Sequence, residues 1–70
     1  MKKDYDIAAS FYRKAAAKGD PIAQFSLASM LEKGRGITRN QDEAIAHYQD
    51  AARQGRNSSQ KRLLQLQVDW

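Results

Sequence analysis

Apolar residues recur along this chain every three or four positions, which is the spacing of one face of an α-helix. In the first segment they are Ile7, Ala8, Phe11, Tyr12, Ala15 and Ala16, and no later stretch alternates apolar and polar residues as a half-buried strand would. Eleven alanines add high helix propensity. The pattern predicts an all-α protein with helices over about residues 4–18, 21–33, 41–54 and 57–68.

Glycine, proline and short polar side chains mark the ends of these helices. Gly19 and Gly55 are expected to end the first and third helices, because glycine readily takes the left-handed conformation found at helix C-termini. Asp20-Pro21 predicts the start of the second helix, since Asp can cap free backbone N–H groups and Pro fits the first helical position. Capping-box spacing, which predicts the starts of the last two helices, occurs at Asn40/Glu43 and Asn57/Gln60.

The chain also matches itself when it is shifted by 36 residues. Eight of the 31 residue pairs compared are identical, where roughly three would be expected by chance. The identical residues are Asp6/Asp42, Ala8/Ala44, Tyr12/Tyr48, Ala15/Ala51, Ala16/Ala52, Gly19/Gly55, Gln24/Gln60 and Leu27/Leu63. A period of this length is typical of repeat proteins, whose helix pairs bury their apolar faces by stacking on their neighbours. It favours a binding surface over a catalytic pocket.

The segment from Gly19 to Gly55 resembles the Sel-one-like repeat, an α-solenoid relative of the tetratricopeptide repeat. The matching residues are Ala23, Gln24, Leu27, Met30, Gly34, Gly36, Ala44, Tyr48, Ala51, Ala52 and Gly55. The departures are Ala28 for a common Gly, Leu31 for an aromatic residue, Thr38 for Pro and His47 for Trp. The resemblance implies a single domain over residues 1–70: a short right-handed α-α superhelix of four antiparallel helices, with one full repeat flanked by two half-repeats.

In solenoids of this kind, the first helix of each repeat looks like the wall of a concave groove. The resemblance therefore points to side chains on those helices that packing does not require. They are Ser26, Ser29, Lys33, Arg62 and Gln65. Ser26 and Arg62 could donate hydrogen bonds to a bound peptide, and Lys33 would add charge. The alternative for each of them is an ordinary solvated helix face.

The last helix carries apolar residues on two adjacent sides. Leu63, Leu66 and Trp70 lie along one side, and Leu64 and Val68 lie along the other. One neighbouring helix cannot cover an arc of this width. One hypothesis is that this surface pairs with another copy of the chain or docks on a partner, because exposed apolar patches seldom stay uncovered. The alternative is that the tail from Gln67 frays and Trp70 folds back over the core.

Charge and candidate chemistry change this picture little. The formal net charge is +4, but the twelve basic residues are spread over every segment. A small basic nucleic-acid-binding protein is nevertheless an alternative, and it would use Lys33, Arg35, Arg39, Arg53 and Arg56. The only histidine, His47, has Glu43 and Asp50 at helical spacing, which predicts an ion pair and not a metal site or a base. We expect no catalytic residue, no metal and no cofactor.

These observations predict a non-enzymatic protein–protein interaction module, acting as an adaptor, a scaffold, a chaperone-like protein or an inhibitor of its partner. A homo-oligomerising fragment of a longer repeat array is a further alternative. The chain begins Met-Lys-Lys and then Asp4-Tyr5-Asp6, without an apolar run long enough for a signal peptide or a membrane span. As written, it is expected to be cytoplasmic, whereas a fragment could come from a secreted or periplasmic protein.

Overall fold

The computed structural model describes residues 2–70, with side chains from residue 4 onward; the predicted domain also includes Met1, which lies outside the described residues. Within that range the chain forms four helices and no strand: α1 (Lys2–Ala17), α2 (Pro21–Lys33), α3 (Gln41–Arg53) and α4 (Asn57–Leu66). α2 packs between α1 and α3, and α4 packs on α3. The stack measures 33 × 22 × 15 Å, and α2, α3 and α4 begin at the expected residues.

The expected cap is complete at the start of α2. The Asp20 side chain accepts a hydrogen bond from the backbone N–H of Ile22 at 2.9 Å, and Pro21 takes the first helical position. At α3 only half of the capping box forms. Asn40 Oδ1 accepts from the backbone N–H of Glu43 at 3.0 Å, but the backbone N–H of Asn40 donates to the Leu31 carbonyl and not to Glu43.

The capping box predicted at Asn57 and Gln60 is wrong. The N-cap of α4 is Arg56, which makes no side-chain cap hydrogen bond, and Asn57 is already the first helical residue. The reason is the short connection after Gly55: the backbone N–H of Arg56 donates to the Ala51 carbonyl and holds Arg56 directly before α4. Gln60 instead donates from Nε2 to the carbonyl oxygen of Ala52 at 2.9 Å, which ties α4 to the end of α3.

Small side chains dominate the contact between α2 and α3. Ala28, Ala44 and Ala51 are completely buried, and their size allows the two helix backbones to approach closely. The larger buried side chains that complete the core are Leu27, Leu31, Tyr48 and Leu63. The fold therefore depends on alanine at defined positions in a tightly packed interior.

A leucine at one of these alanine positions should overpack the interface. We expect Ala44→Leu to lower the free energy of unfolding by about 1–3 kcal/mol, because its neighbours would have to leave their preferred rotamers. Ala46→Leu is the matched control, since Ala46 lies on the same helix but is exposed. Urea unfolding of both variants tests the expectation, and equal effects at the two positions would contradict it.

The buried side of α1 differs from the predicted one. Ala9 and Ala16 are buried, whereas Ile7 and Phe11, which the apolar pattern placed on the packed face, are 64% and 65% exposed. The physical reason is that α2 covers one side of α1. Ile7 and Phe11 lie on another side, so α1 presents an apolar surface to solvent.

The chain leaves the helical path after Leu66, earlier than the sequence suggested. Gln67 takes a left-handed conformation with φ of 60°, and the backbone N–H of Val68 donates to the Leu63 carbonyl at 2.9 Å. Val68 then packs against the core, and Gln49 of α3 donates from Nε2 to the Asp69 carbonyl at 2.8 Å. Residues 67–70, here called the C-terminal segment, therefore fold back onto α3.

Candidate functional site

Two helices one repeat apart, α2 and α4, line an open cavity of about 420 Å³. We call this cavity the α2–α4 groove. Its lining includes Phe25, Ser29, Glu32, Lys33, Tyr48, Lys61, Arg62 and Gln65. Both helices reach the same side of the molecule because each packs against α3. The groove thus combines aromatic surface with hydroxyl, amide and charged groups.

The structure brings four of the five side chains predicted for the concave face into this groove. They are Ser29, Lys33, Arg62 and Gln65. The fifth, Ser26, lies in an adjoining cavity of about 330 Å³ between α1 and α2, which Ser29 and Lys33 also line. The predicted group therefore lines two adjoining cavities, and its role in binding a partner stays a prediction.

Glu32 organises the hydrogen bonds inside the groove. The Tyr48 hydroxyl donates to Glu32 Oε1 at 2.8 Å, and Arg62 Nε donates to the same oxygen at 3.1 Å. Arg62 Nη2 also donates to Glu32 Oε2. The Glu32 side chain is only 12% exposed, so this carboxylate is almost withdrawn from water and depends on both donors.

Arg62 therefore has a different role from the one that its position suggested. The resemblance placed it among donors available to a bound peptide, but its Nε and Nη2 atoms donate to Glu32. Its Nη1 atom donates to Gln65 Oε1 at 3.0 Å. The guanidinium thus links α4 to α2, and within the groove it neutralises the one carboxylate of α2.

The pKa values of this group follow from its contacts. Hydrogen bonds from Arg62 hold the pKa of the Glu32 carboxyl below its usual range, and the Tyr48 hydroxyl adds to this effect. Burial raises the pKa of Tyr48 to about 12, and the adjacent Glu32 carboxylate contributes in the same direction. Glu32 raises the pKa of Arg62 in turn. At neutral pH the group is a carboxylate, a neutral phenol and a guanidinium.

Stability should fall in alkali because of Tyr48. In the unfolded chain a tyrosine loses its proton near pH 10, whereas the folded protein holds Tyr48 neutral up to about 12. The stabilisation that comes from keeping Tyr48 protonated in the folded state is therefore fully present below about pH 10 and is lost as the pH rises through about 12. Relative to Tyr48→Phe, wild type should lose about 1.4 kcal/mol of unfolding free energy between neutral pH and about pH 11. Urea titrations of both proteins measure this difference, and parallel pH profiles would contradict it.

Neither the apolar periodicity nor the family resemblance pointed to Glu32, but the distribution of charged residues in the sequence does. Glu32 is the only acidic residue of α2, and α4 contains Lys61 and Arg62 but no acidic residue. If the two helices lie side by side, an ion pair between them must therefore use Glu32. The hydroxyl of Tyr48, a residue that the sequence analysis used only for the repeat and the resemblance, is the second donor to this carboxylate.

The apolar surface predicted at the end of the chain is only partly present. Leu63 is fully buried in the core, so its assignment to this surface is wrong. The reason is that α3 covers the side of α4 on which Leu63 lies. Leu66 and Val68 are half-buried against the core, whereas Leu64 and Trp70 are exposed.

The remaining candidates for chemistry are engaged in local pairs. His47 Nε2 lies 3.4 Å from Glu43 Oε2 on the same helix, and Asp50 pairs with Arg53 at 3.4 Å. Among the described residues no three His, Cys, Asp or Glu side chains converge into a possible metal site. None of the helices described combines the length and the apolar character that crossing a bilayer requires.

The stacked helix pairs and the groove along one side define an α-solenoid repeat protein. The family model of the Sel1 repeat matches residues 1–20 and 21–55, and the chain therefore belongs to the Sel1 repeat family. The second match spans α2 and α3, and the first spans α1. This confirms the resemblance and the tetratricopeptide-like helical solenoid that it implied, and Sel1 repeats mediate interactions between proteins.

The chain is also similar to curated relatives. It is 41% identical over 63 residues to the DAP3-binding cell death enhancer 1 of Rattus norvegicus, and this alignment covers 90% of the chain and 12% of the relative. It is 42% identical over 52 residues to the protein of the same name from Mus musculus, covering 74% of this chain and 10% of the relative. The chain thus spans about a tenth of the length of these relatives. No solved structure matches it significantly.

Proposed function

We propose that this chain is a non-enzymatic protein–protein interaction module, an adaptor, scaffold, chaperone-like protein or inhibitor, that holds a segment of its partner in the α2–α4 groove. The observation that carries the proposal is the groove itself, which lies between equivalent helices of a Sel1 repeat array. Ser29, Lys33 and Gln65 line it together with Phe25 and Tyr48. Hydroxyl, ammonium and amide groups beside aromatic surface suit the hydrogen bonds and side chains of a polypeptide.

The relatives suggest one candidate partner. The rat and mouse proteins are named for binding DAP3, and the chain matches each of them over most of its own length. We therefore propose DAP3, or a protein similar to it, as the first partner to examine. The rest of each relative lies outside the match, so the chain is proposed to supply only part of such a binding surface.

Calorimetric titration with purified DAP3 tests this partner, and peptides selected from a random display library test the groove more generally. Ser29→Arg should abolish binding of either ligand, because a long side chain would fill the groove at a half-buried position. Ser10→Arg is the matched control, since Ser10 is exposed on α1. Selected peptides that bind wild type and Ser29→Arg equally well would show that the groove is not the binding site.

Nucleic-acid binding receives less support from the contacts of the basic residues. Four of the five cations suggested for it are engaged within the chain. Arg35 lies over the ring of Tyr5, Arg39 donates to the Glu32 carbonyl, Arg53 pairs with Asp50, and Arg56 lies over the ring of Phe25. A single-stranded RNA titrated at low and high salt should show no affinity that falls steeply with salt.

A further inference from the structure

We infer that the partner segment held in the α2–α4 groove is acidic and that its carboxylates pair with Lys33 and Lys61. This inference rests on the proposed groove function and deepens it, because it names the chemistry of the segment. The charges that line the groove carry it, together with the ion pair that already occupies the groove's own carboxylate. Every residue that lines the groove belongs to α2, α3 or α4, so these three helices form it whatever adjoins them.

Positive charge prevails on the two helices that form the walls of the groove. α2 and α4 together carry three basic residues and one acidic residue, Glu32. The basic residues are Lys33, Lys61 and Arg62. α3, which packs on both helices, has the opposite balance, with three acidic residues and one arginine. The groove is therefore bounded by two helices whose combined charge is positive.

The ion pair between Glu32 and Arg62 leaves both lysines of the groove without an acidic partner. Glu32 accepts hydrogen bonds from Arg62 on both of its oxygens and a further one from Tyr48. Lys33 follows Glu32 in the chain and Lys61 precedes Arg62, so the lysines flank this pair, and both are exposed and line the groove. Neither lysine forms a salt bridge with any described residue. Two ammonium groups thus line a groove whose one carboxylate is already neutralised.

Arg56 adds a third cation beside the groove. Its guanidinium carbon lies 5.8 Å from the centre of the Phe25 ring, and Phe25 lines the groove. Within the described part of the chain Arg56 forms no salt bridge. Three cations without a carboxylate partner therefore lie in or next to the groove, and their combined field attracts a negatively charged ligand.

An acidic polypeptide segment complements both the charge and the surface of the groove. Its carboxylates would supply the partners that Lys33 and Lys61 lack, whereas a basic segment would bring like charges together. The rings of Phe25 and Tyr48 are 5.7 Å apart, and they offer contact area to the apolar groups of the same segment. A small inorganic anion would satisfy the lysines but would leave this aromatic surface unused.

A nucleic acid is the other common negatively charged ligand, and the groove suits it less. Proteins that bind single strands stack the bases on open aromatic faces and follow the backbone with a positively charged groove. Arg56 already lies over the Phe25 ring, and Tyr48 is buried, so neither ring is an open platform for a base. We therefore assign the groove to a polypeptide segment.

Selection of peptides from a random display library tests the inference without presupposing a sequence. Peptides that bind wild type but not Ser29→Arg are ligands of the groove, and we expect them to be enriched in Asp and Glu. One such peptide is then synthesised with both ends capped, so that its side chains alone supply the carboxylates. Its counterpart has Gln in place of every acidic residue.

Two double variants show whether the lysines of the groove are responsible for this preference. Lys33→Gln/Lys61→Gln removes both ammonium groups from the groove. Lys14→Gln/Lys18→Gln is the matched control, because its lysines lie outside the groove and all four positions are exposed. Lys14 and Lys33 also each lie in the last turn of a helix. Both variants lose two positive charges and so have the same net charge, and far-UV circular dichroism verifies that they are folded.

Calorimetric titration at physiological salt gives the affinities. Wild type and Lys14→Gln/Lys18→Gln should bind the acidic peptide about tenfold more tightly than its Gln counterpart, which is the effect expected of two exposed ion pairs. Lys33→Gln/Lys61→Gln should bind the two peptides alike.

Two results would overturn the inference and leave the proposed groove function intact: groove ligands without acidic enrichment, or a preference for the acidic peptide that Lys33→Gln/Lys61→Gln retains. A library without any peptide that Ser29→Arg fails to bind would overturn both. A single-stranded RNA that binds wild type more tightly than the acidic peptide, and loses this affinity in Lys33→Gln/Lys61→Gln, would assign the groove to nucleic acid and overturn the inference.

Discussion

Replacing Gly36 with alanine is expected to lower the free energy of unfolding by about 3 kcal/mol or more. Gly36 has a φ of +70°, a conformation that strains residues with a side chain. An added Cβ would also overlap the backbone carbonyl of Tyr5 and lie 2.8 Å from the backbone nitrogen of Asp6. These atoms belong to α1, so the clash is relieved only if the start of that helix moves away from the loop.

Two measurements examine this result. Urea unfolding gives the loss of stability, and hydrogen exchange should show faster exchange in the first turns of α1 in Gly36→Ala. Gly19→Ala is the matched control: Gly19 also has a positive φ, of +90°, but nothing lies within 4 Å of its added Cβ. It should lose only about 1–2 kcal/mol through backbone strain. Similar losses in the two variants would mean that the contact with α1 is unimportant.

The starts of α2, α3 and α4 and the ends of α1, α2 and α3 were predictable to within one residue, because their signals act within a few residues. Asp20 reaches only as far as Ile22, and Gly19 and Gly55 each end a helix through their own left-handed conformation. The wrong N-cap prediction for α4 was an error of a single residue. Arg56 takes the cap position that was expected at Asn57, one residue away, without affecting where the helix begins.

The sides of the helices that become buried were harder to predict. Periodicity identifies an apolar arc, but the neighbours of a helix decide which part of the arc is covered. On α1, Ala9 is buried and Phe11 is exposed, and on α4, Leu63 is buried and its neighbour Leu64 is exposed. Periodicity does not show which helices pack on which side of a given helix. In this sequence, only the internal repeat bears on that question.

The candidate site was predictable in its location but not in its internal bonding. The resemblance placed Ser29, Lys33 and Gln65 on one face, and they line one groove. It could not show that Arg62 would turn toward Glu32, because this choice depends on the distance between α2 and α4. Hydrogen bonds between residues 30 positions apart are tertiary contacts that no local pattern reports.

Glu32→Ala is the second substitution with a large expected effect, a loss of about 2–3 kcal/mol of unfolding free energy. Without the carboxylate, the buried Tyr48 hydroxyl loses its acceptor, and Arg62 loses its partner across the groove. Arg62 is partly exposed and can recover hydrogen bonds with water, which keeps the loss below that of a fully buried ion pair. Urea unfolding at neutral pH measures the effect.

Glu43→Ala provides the comparison. Glu43 also pairs with an arginine, Arg13, but the arginine side chain is about half exposed and the glutamate is one-third exposed. A pair this accessible to water contributes at most about 1 kcal/mol. If Glu43→Ala and Glu32→Ala destabilised the protein equally, burial would not be the reason for the importance of Glu32.

A double-mutant cycle with Tyr48→Phe isolates the hydrogen bond from the rest of the change. In wild type, Tyr48→Phe removes a donor to Glu32 and should cost about 1 kcal/mol. In the Glu32→Ala background the same substitution should be neutral or stabilising, because it removes a buried hydroxyl that has already lost its acceptor. Additive losses would show that the two residues contribute independently. A coupling near 1 kcal/mol would instead establish that the carboxylate and the phenol act as one unit joining α2 to α3.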